Sequence, residues 1–312
     1  MDKIHILVNS PYGHHRGFFS HMQQALCALY LSNKQNIPLF IDFSKGHNYQ
    51  DGNDNVWDSY FEQPYGLSFG DIDRLKGEGV QIIQATKFEC DEFNDQRNRN
   101  GVGYPWIRKD IRNIVCDINN IVLKDIVSTY VDHFVHGNFG KHKVLGIHKR
   151  ASLSHQHSEP ILTCQQFFEI IDKLIDKNGY TKIFLATNQV EPLEEFKVKY
   201  GDMLIYQDVC RQVGIQNKNI YDNHDRYRTR YQLGFDVLTD CLLLSKCHTI
   251  TCTLSGVSRW ALYFNKDLKY VYLCKKYYIG DSSIRDLYPG YTAPFTNMKS
   301  EFEDDENELL SS

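Results

Sequence analysis

The sequence predicts an α/β protein made of two units of doubly wound parallel sheet. Short apolar runs recur along the chain and alternate with stretches of helical periodicity, the pattern that successive βαβ units produce. The segments between runs are long enough to cross over a sheet, which parallel pairing requires. At 312 residues, 42% hydrophobic and 24% charged, the chain also has material for about two globular units.

Ile4 to Val8 reads as the first strand. The turn-rich NSPYGHHRG follows, and then helical periodicity from Phe18 to Leu31. IPLFIDF (37–43) is the second strand. From Lys45 to Gly66 the pattern breaks into a polar and aromatic stretch, expected as a functional loop or a partly helical excursion. VQIIQ (80–84) is a third strand, and the apolar periodicity from Ile107 to Phe134 predicts a helix or helix pair. KVLGIH (143–148), KIFLAT (182–187), MLIYQD (203–208), HTITCT (248–253) and KYVYL (269–273) then read as strands, with helices near 163–177, 190–199 and 231–246 between them. The boundary between units is placed in the Gly-containing HGNFGKHK, giving units 1–138 and 139–295 and an acidic, mobile tail over 296–312.

Composition excludes several functions. With 35 Lys+Arg against 39 Asp+Glu the net charge is -4, so no broad positive field exists to hold nucleic acid, and an anion must be held locally. Neither an export signal nor a run of about 18 apolar residues is found, so a cytoplasmic protein without a membrane span is expected. The nine cysteines, an odd number, sit mostly in apolar runs and form no CxxC pair, which suits reduced, packed thiols and no structural zinc.

Three places carry candidate chemistry. In VLGIHKRASLSH a strand ends at His148 and Arg150, where open α/β sheets bind ligands and a guanidinium can grip phosphate oxygens. The alternative is a salt bridge for Arg150 and a core hydrogen bond for His148. In HTITCTLSGVSRWALYF a strand meets a turn of Thr253, Ser255 and Gly256 and then a helix, whose unpaired N–H groups suit an anion. Ser255 as a plain N-cap explains the same residues. Between them Asp240 stands on an apolar helix, where it could accept from guanine N1–H and the exocyclic amine or lie on a narrow wet face. Weaker candidates are His14, His15, His155 and His157, taken as surface histidines; Arg226, Arg228 and Arg230, a solvated loop or extra charge beside a diphosphate; and Tyr49, Trp57, Tyr60, Phe61 and Tyr65, either core packing or flat faces for sugar rings.

Taken together and in order, these segments resemble the fucosyltransferase superfamily that contains the core α-1,6-fucosyltransferases, the nodulation fucosyltransferases and bacterial surface-polysaccharide relatives. PYGHHRGFFSHMQQALCALYL is similar to the family's N-terminal loop and helix, NDNVWDSYFEQP to a segment of bacterial members, GIHKR to its His-x-Arg motif, and DVLTDCLLLSKCHTITCTLSGVSRWALYF to its final motif block. KIFLATNQVEPLEEFKVKYGDMLIY is similar to a strand, helix, strand run of the same family.

The resemblance implies two Rossmann-like domains in a GT-B glycosyltransferase arrangement. The C-terminal one would hold GDP-fucose and the N-terminal one would face an oligosaccharide or glycolipid acceptor, with no metal or other cofactor. It also implies inverting transfer in polysaccharide biosynthesis, in the cytoplasm, with peripheral contact at the inner face of the membrane for a lipid-linked acceptor. By position, His148 matches the His near guanine, Arg150 the Arg on the diphosphate, Asp240 the acid reading guanine, and Thr253 and Ser255 the hydroxyls near the β-phosphate, with His14 and Gly17 facing the cleft. The chain departs from the motif after Arg150, where Ala151, Ser152 and Leu153 replace a pattern ending in Thr-Asp. For the catalytic base, Glu159 before Pro160 competes with His157 and His155. Alternatives are another nucleotide-sugar donor, or a non-catalytic sugar-nucleotide or glycan-binding protein of this fold.

Overall fold

The computed structural model describes residues 2–9, 17–45, 49–52, 54–88, 121–150, 163–213, 229–252 and 255–272. Two parallel sheets organise them. In the first half β1 (Lys3–Val8), β2 (Leu39–Asp42) and β3 (Gln81–Ala85) pair in the order β2-β1-β3, with α1 (Phe18–Gln35), α2 (Val56–Tyr60) and α3 (Phe69–Gly77) in the connections. A helix, α4 (Asp125–Phe134), leads into the second half. There β4 (Val144–His148), β5 (Lys182–Ala186), β6 (Leu204–Ile205), β7 (Thr249–Cys252) and β8 (Lys269–Tyr272) form the order β6-β5-β4-β7-β8, every pair parallel. Helices α5 (Cys164–Asn178), α6 (Val190–Tyr200), α7 (Arg230–Ser245) and α8 (Gly256–Phe264) connect these strands. The α/β class and the doubly wound second sheet are as expected, since β4 at the centre is flanked by strands reached in opposite directions.

Strand alternation decides which residues face the centre of the molecule. Along β4, Val144 belongs to the apolar core shared by both halves, whereas Leu145 and Ile147 belong to a separate core under α5 and α6. His148 is in phase with Val144 and so lies on the shared side. That shared core joins Leu7, Leu26 and Trp57 of the first half to Leu238 and Trp260 of the second.

Among the described residues two ring pairs lie at the seam. Phe19 of α1 stacks on Trp260 of α8 with centroids 5.9 Å apart, and Tyr60 of α2 lies flat on Tyr231 of α7 at 5.3 Å while its hydroxyl donates to the Tyr231 carbonyl at 2.7 Å. Both need glycine. A Cβ on Gly256 would sit 2.7 Å from Phe19 Cβ, and one on Gly234 would sit 2.1 Å from Tyr60 Oη. Asp51 of the first half adds a polar contact, its carboxylate accepting from the N–H groups of Arg230 and Tyr231 at the start of α7 at 3.2 and 2.9 Å.

Several expectations change. Of the helix or helix pair expected over 107–134, the described part begins at Asp125, because Leu123 pairs with Phe61 in an antiparallel bridge and Lys124 N–H bonds to the Tyr60 carbonyl; residues 107–120 lie outside the described ones. After Phe134 the helix continues as a π-type turn through Val135–Phe139 and ends at Gly140, whose φ of 50° suits glycine. The strand expected over 203–208 shortens to Leu204–Ile205. Beyond it the Gln207 carbonyl is taken by Arg211 Nη2 at 2.7 Å instead of a neighbouring strand. The polar stretch over 45–66 contains one short helix, α2, capped by Asn55. Its Tyr49, Trp57, Tyr60 and Phe61 are buried, so of the two readings for these aromatics the packing one applies to them; Tyr65 is exposed.

Among the described residues no helix is long and apolar enough to cross a membrane. The described cysteines are all free, and Cys164, Cys241, Cys247 and Cys252 are buried. The tail 296–312 lies outside the described residues.

Candidate functional site

The site begins where β4 and β7 end side by side. Their register pairs His148 with Cys252, so the chain leaves both strands at the same edge. His148 is 7% exposed, and its Nδ1 lies 3.2 Å from Ser255 Oγ on the turn after β7. Ser255 is also the N-cap of α8: its Oγ accepts from the Ser258 N–H at 3.4 Å. The same Oγ lies 3.5 Å from Ser258 Oγ, so Ser255 links the imidazole to the first turn of α8. Burial first, and the positive charge of Arg150 second, hold His148 down to about 3, so the ring is neutral at physiological pH.

Arg150, half-buried two residues beyond, is near enough for its charge to act on His148. Arg259 Nε donates to the Ser255 carbonyl at 3.2 Å and pins the turn. Gly256, the first residue of α8, admits Phe19, so α1 and α8 start against one another. Gly17 caps α1 in extended conformation with no side-chain bond, and the next N–H, that of Phe18, donates to Tyr49 Oη at 3.2 Å. A helix start, with unpaired N–H groups and the positive end of its dipole, favours an anion. Here the N-cap touches a neutral imidazole that feels the charge of Arg150.

The second flank is built around Asp240 on α7. Gln207, just past β6, donates from Nε2 to Asp240 Oδ1. Burial is the main cause pushing Asp240 up to about 7; the Gln207 bond and the Arg211 charge oppose it, and Asp236 adds to it. Arg211 itself is pushed down by burial, and its Nη1 and Nη2 hold the carbonyls of Val209 and Gln207 at 3.1 and 2.7 Å. β5 alone separates β6 from β4, so Gln207 leaves the sheet two strands from His148.

Of the residues singled out in the sequence, the structure brings His148, Arg150, Ser255 and Gly256 together and sets Asp240 on the neighbouring flank at the same sheet edge. Gly17 starts the helix that abuts α8. Arg230 is exposed at the start of α7. His14, His15, Thr253, His155, His157, Glu159, Arg226 and Arg228 lie outside the described residues. Sequence reasoning missed Gln207, Arg211 and Tyr130, whose hydroxyl donates to Gln207 Oε1 at 2.9 Å. No spacing rule links these three positions.

Neither the protein-family profiles nor the curated proteins match this chain. Among solved structures it is similar to the fucosyltransferase NodZ from Bradyrhizobium, at 16% identity over 84% of this chain and 92% of that one, with a TM-score of 0.46. It is similar to POFUT1 in complex with GDP, at 10% identity over 88% and 99%, TM-score 0.48, and to an Arabidopsis thaliana FUT1 mutant in complex with GDP, at 12% identity over 86% and 70%, TM-score 0.49. These are likenesses of architecture at low identity, and they carry nothing about the site.

Proposed function

We propose that this chain is a glycosyltransferase that moves fucose from GDP-fucose to a hydroxyl of an oligosaccharide or glycolipid acceptor, with inversion at the anomeric carbon and without a metal. The observation that carries the reading is the 3.2 Å approach of His148 Nδ1 to Ser255 Oγ. It joins the end of β4, two residues before Arg150, to the N-cap of α8, which supports the reading that a guanidinium and helix N–H groups face one diphosphate. The sequence motifs that resemble the fucosyltransferases supply the donor; the geometry supplies a place for its charge.

In this reading the acceptor oxygen attacks the anomeric carbon as the bond to the β-phosphate oxygen breaks, through an oxocarbenium-like state. Negative charge grows on the departing GDP. Arg150 and the α8 start meet it with donors already in place, and removing one such donor typically costs roughly 100- to 1,000-fold in rate. His148 and Asp240 hold the nucleotide, Asp240 accepting from two N–H groups of the guanine edge. Thr253, His14 and Gly17 complete the donor side, and Glu159 or His157 takes the acceptor proton. The protein acts in the cytoplasm in polysaccharide assembly, at the inner face of the membrane where the acceptor is lipid-linked.

The test is Arg150→Ala, assayed for GDP-fucose turnover against a glycan panel and for GDP affinity by calorimetry. We expect turnover to fall at least 100-fold with an unchanged circular-dichroism spectrum. Normal kcat and donor affinity would remove the central assignment. A second reading is favoured by Leu153, which stands where the motif's acid would be: a non-catalytic protein that binds a sugar nucleotide. Tight GDP binding by the unaltered protein, without hydrolysis or transfer from any donor, selects it.

A further inference from the structure

Asp240 is gripped from one side. Among the described residues its one hydrogen bond comes from Gln207 Nε2 to Oδ1. Gln207 is 1% exposed, and both ends of its amide are engaged: Nε2 on Asp240 and Oε1 on the Tyr130 hydroxyl at 2.9 Å. Donor and acceptor roles follow from chemistry. When ionised, Asp240 only accepts, so the amide nitrogen faces it; the amide oxygen then faces Tyr130, whose hydroxyl donates. The backbone of Gln207 is held as well, its carbonyl accepting from Arg211 Nη2 at 2.7 Å. Three separate elements, α4, the segment after β6 and α7, therefore converge to orient one carboxylate.

We propose that Gln207, with its amide set by Tyr130, is a positioning residue that fixes the plane of the Asp240 carboxylate, so that its open edge meets a base presenting two adjacent N–H donors and discriminates against a base presenting one. The inference rests on the nucleotide reading above and extends it to specificity. Guanine offers the two donors; hypoxanthine, which lacks the exocyclic amine, offers one. A carboxylate free to rotate would meet one donor nearly as well as two, so the cost of losing Gln207 or its setting hydroxyl falls on the second donor. The charged groups acting on Asp240 are Arg211, which favours the carboxylate, and Asp236, which opposes it.

Tyr130→Phe removes only the hydroxyl and keeps the ring that packs on Phe235 at 5.2 Å and Phe134 at 6.3 Å. Gln207→Leu removes the donor itself. GDP and IDP affinities are measured by calorimetry for the unaltered protein and both variants, and the Asp240 carboxyl is titrated by carbon-13 NMR without nucleotide. The expected result is a preference for GDP over IDP that shrinks about three- to tenfold in Tyr130→Phe, and a higher Asp240 titration midpoint in Gln207→Leu. A purely structural role would weaken both nucleotides alike. Unchanged preference in a folded Tyr130→Phe, with an unchanged Asp240 midpoint, overturns the inference. Failure of the unaltered protein to bind GDP instead sinks the nucleotide reading, and the NMR titration still decides whether Gln207 governs Asp240. Should Gln207→Leu not fold, Tyr130→Phe carries both readouts.

Discussion

The two flanks of the candidate site lie at one sheet edge yet differ in how they hold charge. At the β4/β7 flank His148 is kept neutral far below physiological pH, and its partner Ser255 is locked as a helix cap. At the β6/α7 flank Asp240 is raised to about 7, so its charge changes near neutrality. Burial is the first cause in both cases. The sign of its effect depends on which protonation state carries the charge: desolvation removes a proton from an imidazolium and adds one to a carboxylate. One flank therefore keeps a single, neutral protonation state across physiological pH, and the other is an acceptor that a ligand must help to ionise.

The constant flank depends on close packing, which gives the largest expected effect. Gly256→Ala places a Cβ 2.7 Å from Phe19 Cβ, two atoms that no rotamer change can separate. Helix propensity would favour alanine by up to about 1 kcal/mol, so a net loss isolates the clash. We expect about 3 kcal/mol of destabilisation, the upper part of the usual overpacking range, read by chemical denaturation. Gly137→Ala, where an added Cβ meets nothing within 4 Å, is the control and should change little. A Gly256→Ala protein as stable as the control would show that α1 and α8 do not need this approach.

The pH dependence of stability separates the flanks next. His148 has its folded pKa depressed below 6.5, so between pH 6.5 and about 3 the unfolded chain binds a proton that the folded one refuses, and this group's contribution is lost as pH falls. Asp240 has its folded pKa raised above 3.8, so between 3.8 and about 7 the folded chain keeps a proton that the unfolded one releases, and stability is lost as pH rises. In the shared window, 3.8 to 6.5, the two slopes oppose each other. Asp240→Asn should steepen the gain in stability with rising pH, and His148→Gln should reverse it, each by about 2 kcal/mol across 1.5 pH units. Denaturation at pH 5 and 6.5 reads both. Parallel curves for the two variants would show that burial does not set these charges. The same titration makes a pocket that binds guanine weaken below pH 7, because the protonated acid no longer accepts from both N–H groups.

What the sequence disclosed follows from which signals are local. Strand and helix identity came from periodicity, and the β4 and β7 ends were legible because a buried strand running into Arg150 or Ser255 marks the ligand edge of an α/β sheet. Helix α3 was missed although Ser68 and Asp71 form a capping box, a readable signal obscured by the short apolar pattern of the segment. Gln207 was absorbed into the expected strand MLIYQD, since nothing in sequence tells a strand residue from one that has turned to face a helix. Tyr130 and Gln207 are far apart in the chain, and their meeting is set by the packing of α4 against α7, where Tyr130 touches Phe235. Gly234 and Gly256 looked like a helix residue and a turn residue; only the partner rings reveal their packing role.

The smallest expected effect concerns the polar edge of the seam. Thr229 accepts from the Gln232 N–H at 3.1 Å, and Asp51 from across the seam accepts from those of Arg230 and Tyr231, so the first N–H groups of α7 are satisfied from both halves. Asp51→Ala should cost about 1 kcal/mol, the usual value of a lost cap, and Asp51→Asn less, because an amide oxygen still accepts. The dipole share of the effect is exposed to solvent and should shrink in high salt. Urea denaturation of both variants at low and high ionic strength checks this. If alanine and asparagine cost nothing at either salt concentration, neither the cap nor the dipole is at work, and the apolar and aromatic contacts hold the seam without Asp51.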